Sequence, residues 1–208
     1  MTWQTRSLGD VCPVIQDGAH RSPKRQYNEK AKGRFLYITS KNIRNNFIDL
    51  ANVTYVDSEF HNQIYPRCKP ELGDVLLTKD GVSTGNICLN TIGEPFSLLS
   101  SVCLIKTDPT RLLPAFLCYY VQSPEGLRRI TGEMTGTAIK RIILRNIKAA
   151  TIPLPPLPEQ RSIVGAIDKA FAAIAIARAN TEKKLRALDE VQRSLLDEAF
   201  TGTLCGQR

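Results

Sequence analysis

The sequence predicts an α+β fold. It is a mostly β domain with a few helices over residues 1–158, followed over 159–208 by one long projecting C-terminal helix that pairs in a coiled coil, with a short tail. Three observations carry this expectation. Short strand-like runs alternate with turn residues up to position 158, and four prolines crowd residues 151–158. From 159 to 200 there is no proline and a single glycine, Gly165, among abundant Ala, Leu, Glu, Lys and Arg. The 208 residues suffice for one well-buried domain of about 150 residues with an extension.

Residues 35–39, 52–56, 74–79, 86–90 and 98–106 are rich in β-branched or apolar side chains and bounded by Gly, Asp, Asn or Pro, the pattern of strands between turns. Two helices interrupt them. Leu113, Phe116, Leu117, Tyr120 and Val121 form one apolar stripe, with Pro114 tolerated in the first turn. Ser123, Pro124 and Glu125 then supply an N-cap, an N1 proline and a first-turn acid for a second helix running through Arg128 and Arg129. The prolines of 151–158 remove backbone donors and force extended conformations, so this segment reads as a stiff boundary. Beyond it, 159–200 spans roughly 60 Å as a helix, more than the core of such a domain needs. Its apolar seam runs through Ile163, Ile167, Ala170, Ile174, Ala177, Thr181, Leu185, Leu188 and Leu195, with one irregular step after Thr181. A seam this narrow calls for a partner helix. A helix folded back on its own domain is the other reading.

The formal net charge is +8 and the pI about 9.3, which points to an anionic partner. Residues 1–158 hold 20 Lys and Arg against 13 Asp and Glu, whereas 159–208 hold 8 against 7, so the excess belongs to the first domain. Six scattered cysteines show neither metal-ligand spacing nor a disulfide framework, and five sit in apolar or strand-like contexts as small hydrophobes. The N-terminus lacks an apolar signal core, and the longest apolar run, 170–177, is too short to span a bilayer. The expectation is a cytoplasmic, reducing location with no membrane contact.

Enzymatic motifs are absent from the sequence. No P-loop, dinucleotide fingerprint, nucleophile elbow or zinc-protease motif occurs, and the two histidines are His20 and His61. No Asn-Pro-Pro-aromatic or Asp-Pro-Pro-aromatic adenine-methyltransferase motif is present. The expectation is a chain without catalytic residues, metal or bound cofactor.

Two basic clusters point instead to nucleic acid. Residues 21–44 contain eight Lys and Arg against Glu29, and 128–148 contain six against Glu133. The candidate DNA contacts are Arg21, Lys24 and Arg25; Ser40, Lys41, Asn42 and Arg44 after a strand; Lys79, Ser83 and Thr84 in a loop between strands; and Lys140, Arg141 and Arg145. Lys and Arg pair with guanine or phosphate, and Asn with adenine, so position alone does not separate base from backbone contacts.

The proline segment Ile152-Pro-Leu-Pro-Pro-Leu-Pro-Glu-Gln-Arg-Ser-Ile163, the long helix and the closing Glu198-Ala-Phe-Thr-Gly202 together resemble the conserved region of type I restriction-modification specificity (S) subunits. Leu8-Gly-Asp-Val11, Leu72-Gly-Asp-Val-Leu-Leu77 and Gly136-Thr-Ala-Ile-Lys-Arg-Ile142 resemble further S-subunit motifs, so the likeness spans nearly the whole chain. It implies a non-catalytic DNA specificity subunit: a target-recognition domain reads one half of a bipartite site, and a spacer helix helps to dock the DNA methyltransferase (M) subunits. S-adenosylmethionine is then expected on the M subunits, and a motor-nuclease (R) subunit joins where the system restricts DNA. By the same analogy the loops at 40–44 and 79–86 are the candidate readers.

The usual S subunit has two recognition domains, and this sequence holds one, with one helix. It is expected either as a half-subunit that forms a homodimer through antiparallel helices or as a fragment of a longer chain. A stand-alone DNA-binding or scaffolding module with a coiled-coil dimerisation helix is the second reading.

Overall fold

The computed structural model describes residues 3–132 and 141–201. The chain divides into two compact units, Met1–Val164 and Gly165–Arg208. The first opens with strand β1 (Thr5–Ser7), helix α1 (Leu8–Val11) and strand β2 (Val14–Asp17). There follow β3 (Arg34–Ile38), the short hairpin β4 (Ile43–Arg44) and β5 (Phe47–Ile48), β6 (Thr54–Asp57) and α2 (Ser58–Ile64), which runs into a 3-10 turn at Tyr65–Arg67. Next come β7 (Val75–Thr78), β8 (Ile87–Leu89), β9 (Ser97–Leu98), β10 (Val102–Lys106), α3 (Pro114–Gln122), α4 (Pro124–Thr131), α5 (Leu144–Ala149) and β11 (Thr151–Pro153). Helix α6 (Leu157–Phe200) closes the chain with 44 residues, about 66 Å at 1.5 Å per residue. The α+β class, the β-rich first region and the long C-terminal helix are as the sequence predicts.

An antiparallel four-stranded sheet in the order β2-β10-β7-β8 forms the centre of the first unit. Its middle strands are apolar on both faces, and alternation sends successive side chains to two different cores. Val75, Leu77, Cys103 and Ile105 join Phe116, Leu117, Val121, Ile130 and Ile147 from α3, α4 and α5. Leu76, Val102 and Leu104 join Phe96 and, from a second sheet ordered β6-β3-β9 in which β3 and β9 run parallel, Leu36, Ile38 and Leu98. The run read as one strand over 98–106 is therefore two. β9 and β10 belong to different sheets, and the chain turns between them with Val102 N–H donating to Leu99 O at 2.9 Å.

The helix signals behave as residue chemistry dictates. Ser123 caps α4, its Oγ accepting from Gly126 N–H at 3.1 Å. Gly126 is required by proximity, since a Cβ there would fall 1.9 Å from the Tyr120 carbonyl oxygen. Ser7, ahead of the Leu8-Gly-Asp-Val11 motif, caps α1 by accepting from Asp10 N–H at 3.3 Å. Five cysteines, Cys12, Cys68, Cys88, Cys103 and Cys118, are buried free thiols, and burial pushes Cys12, Cys68 and Cys88 up to about 12. They act as the small hydrophobes expected; Cys205 lies outside the described residues.

The proline segment carries more structure than a stiff boundary. Residues 151–153 form β11, an edge strand paired antiparallel with β1, where Pro153 is tolerated. Helix α6 begins at Leu157, with Pro158 in its first turn, where its missing N–H costs nothing. Gln160, fully buried, ties this entry down. Its Oε1 accepts from Leu113 N–H at 2.9 Å, and its Nε2 donates to Arg111 O at 2.8 Å and Pro155 O at 2.9 Å. Among the described residues no helix is long and apolar enough to cross a membrane.

Candidate nucleic-acid interface

The loop after β3 (residues 39–46) and the loop between β7 and β8 (residues 79–86) come from separate sheets and are stitched together. Ser83 Oγ donates to Ser40 O at 3.1 Å, and Asn86 Nδ2 donates to Ile43 O at 3.1 Å. Asn46 N–H donates to Ile87 O, and Ile87 N–H to Asn45 Oδ1, each at 3.1 Å. Gly81 allows the second loop its turn, with φ of +100°, a region L side chains rarely adopt. The second basic cluster reaches the same place. Ile142 N–H donates to Lys79 O at 2.8 Å, and Arg141 Nε lies 3.2 Å from Asp80 Oδ1. The two loops and the strand behind them enclose an open concavity of about 520 Å³ whose wall includes Ser22, Gln26, Ser40, Lys41, Asp80 and Gly81.

Beneath the second loop lies a charged network. Lys79 is only 2% exposed, and its Nζ lies 3.2 Å from Asp80 Oδ2 and 3.6 Å from Asp17 Oδ2. Asp17, also buried, receives Arg67 NH2 at 2.7 Å and His20 Nε2 at 3.1 Å. Burial pushes the Asp17 carboxyl up, but the Arg67 hydrogen bond and the charges of His20, Lys79 and Arg67 outweigh it and hold it below its ordinary value. The carboxylate is the anchor to which Lys79 and the loop are tied.

This geometry sorts the candidate contacts. Lys79 has the place of a buried strut, its ammonium engaged inside the protein by Asp80 and Asp17. Asn42, 5% exposed, is likewise engaged within the protein. Its Oδ1 accepts from Thr39 N–H at 3.0 Å and Thr39 Oγ1 at 3.2 Å, and its Nδ2 donates to Asp49 O at 3.1 Å. Ser83 ties its loop to the first through Ser40 O, and Thr84 holds its own loop, its Oγ1 donating to Gly81 O at 2.6 Å. Arg44 donates to Lys41 O at 2.8 Å and pairs with Asp49 at 3.2 Å.

Lys41, Arg21, Lys24 and Arg25 are exposed, and their side chains make no ion pair or hydrogen bond among the described residues. Arg21 and Lys24 line a second concavity of about 280 Å³ with Ser22, Asp57, Glu59 and Gln63. Arg141 remains largely exposed beyond its Nε contact. Arg145 is exposed on α5, which packs on α1, α4 and β2, and it lines neither concavity. Lys140 lies outside the described residues. Asp17, Arg67, Tyr37 and Gln26 were not singled out by sequence. For Asp17 the missed signal is an acid ending an otherwise apolar-alternating strand, which a fold must pair.

The seam of α6 splits. Ile163 packs against the core of the first unit and Ile167 is half-buried, whereas residues 168–200 are exposed throughout. Ile174 is 56% and Leu188 65% exposed, and Ala170, Ala177, Thr181, Leu185 and Leu195 share that state. Phe171, Val191, Leu196 and Phe200 add exposed apolar surface that the seam did not include. Thr181 Oγ1 donates to Ala177 O at 2.9 Å within the helix.

Residues 1–187 match the family model described as the type I restriction modification DNA specificity domain. The chain is 26% identical over 160 residues to the type I restriction enzyme EcoBI specificity subunit of Escherichia coli, covering 77% of this chain and 33% of that protein. It is 25% identical over 207 residues to the MjaVIII specificity subunit of Methanocaldococcus jannaschii, covering 96% and 42%. The chain thus spans well under half the length of these relatives. Among solved structures, a chain from a study of complex assembly and conformational transition in the type I R-M system superposes with a TM-score of 0.71 at 19% identity, covering 95% of this chain and 45% of that one. The HsdS subunit from Thermoanaerobacter tengcongensis gives 0.61 at 21%, covering 95% and 48%.

Proposed function

The chain belongs to the type I restriction-modification DNA specificity family, and from that premise we propose that it reads one half of a bipartite DNA site and docks the methyltransferase subunits that act there. It supplies no catalytic group itself. S-adenosylmethionine and the methyl-transfer chemistry belong to the M subunits, and an R subunit joins where the system restricts. The observation that carries the reading is the convergence of two separate segments, 39–46 and 79–86, on one concavity, with residues 141–142 bound to the second of them. Exposed, unengaged cations accompany it: Lys41 lines it, and Arg21, Lys24 and Arg25 interleave in sequence with its lining residues Ser22, Pro23 and Gln26. Such cations supply phosphate affinity that falls steeply with salt.

The exposed apolar stripe of α6 is the second element of the proposal. Contiguous apolar surface of this kind marks an interaction site, and a second copy of the same helix covers it in an antiparallel, isologous homodimer. The pair then sets the spacing between two half-sites.

The test is reconstitution with a methyltransferase subunit. The chain should co-purify with it, confer sequence-dependent adenine methylation, and run as a dimer by light scattering at micromolar concentration. Duplex binding without sequence preference, leaving the subunit's methylation pattern unchanged, would mean a stand-alone DNA-binding module instead. A strictly monomeric species would sink the dimer.

A further inference from the structure

Side chains that read a paired duplex must reach outward to base edges that stay inside the helix. Between the two loops this chain instead encloses space, about 520 Å³, within the range of roughly 300–1,000 Å³ found for small-ligand sites. Tyr37, in its wall, is 2% exposed, with its ring set edge-on to Phe60 at a centroid distance of 6.1 Å. Its hydroxyl makes no hydrogen bond among the described residues, although a buried tyrosine hydroxyl usually finds a partner. Nor is it sealed from solvent, for Thr78 Oγ1 is the one fully buried, unpartnered side-chain polar atom among the described residues. The Tyr37 hydroxyl therefore opens into the concavity. Burial pushes it up to about 12, so it keeps its proton at neutral pH and offers it to a ligand.

The rest of the wall suits a planar, uncharged partner. Leu99 and Pro23 are apolar, while Gln26, Asn52 and Ser40 bring amide and hydroxyl groups. Gln26 spends its Oε1 accepting from Thr54 Oγ1 at 2.9 Å, which leaves its amide N–H groups for another acceptor. The charges largely offset one another, since Asp80 is held between Lys79 and Arg141, and Lys41 contributes one cation. A phosphate site would gather cations here; this one gathers donors, acceptors and apolar surface.

We propose that the concavity is a binding site for an unpaired, extrahelical nucleobase, hydrogen-bonded at its edge by the Tyr37 hydroxyl and the Gln26 amide, with Leu99 and Pro23 packing on the ring. It rests on the DNA-reading function proposed above and adds a step to it: part of recognition takes place on a base held out of the stack. Extrusion costs least for a base that is already unpaired, so such a base is the natural probe.

The test compares two duplexes of one sequence, one fully paired and one carrying a single bulged 2-aminopurine, titrated with the full chain. Anisotropy reports affinity and 2-aminopurine emission reports the environment of the base. The bulged duplex should bind roughly tenfold more tightly, with a change in 2-aminopurine emission. Tyr37→Phe and, separately, the milder rim variant Gln26→Ala should each reduce that preference, read as the ratio of bulged to paired affinity, about fivefold, the scale of one lost hydrogen bond. Equal affinity for both duplexes, or a preference unchanged in both variants, overturns the site while leaving duplex reading intact. Failure to bind either duplex overturns the DNA-reading function as well.

Discussion

Replacing Lys79 with methionine separates a buried strut from a DNA contact. The side chain is 2% exposed, and its ammonium lies between Asp80 at 3.2 Å and Asp17 at 3.6 Å. Methionine keeps the stem and removes the charge. Taking one partner from a buried pair costs about 3–5 kcal/mol when the other is left uncompensated. Here Asp17 keeps Arg67 and His20, and Asp80 keeps Arg141, so the expected loss is smaller, about 2–3 kcal/mol. For a chain of this size that lowers the thermal midpoint by roughly 5–10 °C. Thermal unfolding at neutral pH reads the loss directly, and duplex affinity against salt, measured well below the midpoint, reads any DNA contact. Lys79→Met should leave the salt slope unchanged, whereas Lys41→Ala, at an exposed and unengaged cation, should lower the slope by about 1 and leave the midpoint within a degree or so. A Lys79→Met protein that melts like the parent but loses a unit of salt slope would show that Lys79 reaches DNA and that the strut assignment is wrong.

Three further outcomes follow from named contacts. Gln160→Ala strips the buried entry of α6 of three hydrogen bonds and leaves the Leu113 N–H and the Arg111 and Pro155 carbonyls unmet, a cost of about 3 kcal/mol; a chemical-denaturation loss below about 1 kcal/mol would contradict it. Leu188→Asp, on a stripe position 65% exposed, should convert a dimer to monomer in sedimentation while leaving the melting of the first unit unchanged, and a variant that stays dimeric would place the interface elsewhere. His61 is buried, stacked on Phe35 at 3.7 Å, and burial lowers its pKa from 6.5. Its unfolded form therefore binds a proton that the native form declines, so this contribution to stability is full above pH 6.5 and falls as pH drops through it. His61→Phe should flatten the fall of the midpoint below pH 6.5, and an unaltered pH profile would assign that acid sensitivity to other groups.

Local chemistry made much of the fold legible. Proline-free sequence with periodic apolar residues gave α6, Ser123-Pro124-Glu125 gave the start of α4, and the apolar runs gave β3, β6, β7, β8 and β10. What local sequence does not encode is pairing. Nothing in residues 34–38 and 97–98 announces that β3 and β9 run parallel, and the continuous run at 98–106 conceals a switch between sheets. Strands as short as β4, β5 and β11 exist because a neighbour supplies the hydrogen bonds, so propensity alone misses them. The seam of α6 carried a related ambiguity, since an isoleucine at helical spacing is equally suited to a domain core or a partner, and Ile163 went to the core.

The interface was legible as a place more than as a set of contacts. Residue type reports that Asn42, Lys79, Ser83 and Thr84 are able to hydrogen-bond, but not whether that capacity is already used, and in all four it is. Their use inside the protein has a consequence for recognition. A loop whose own polar groups fix it arrives at DNA already ordered, so less conformational entropy is lost on binding. It also divides the loops into two sets of positions. Lys79, Asn42 and Ser83 hold the backbone, so changes there act through folding; Lys41, Ser40 and the rim residue Gln26 hold little else in place, so changes there are free to alter which DNA is bound. Exchanging only the second set for other polar residues should shift sequence preference at nearly constant melting temperature. If such exchanges destabilised the protein as much as Lys79→Met, the separation of support from readout would fail.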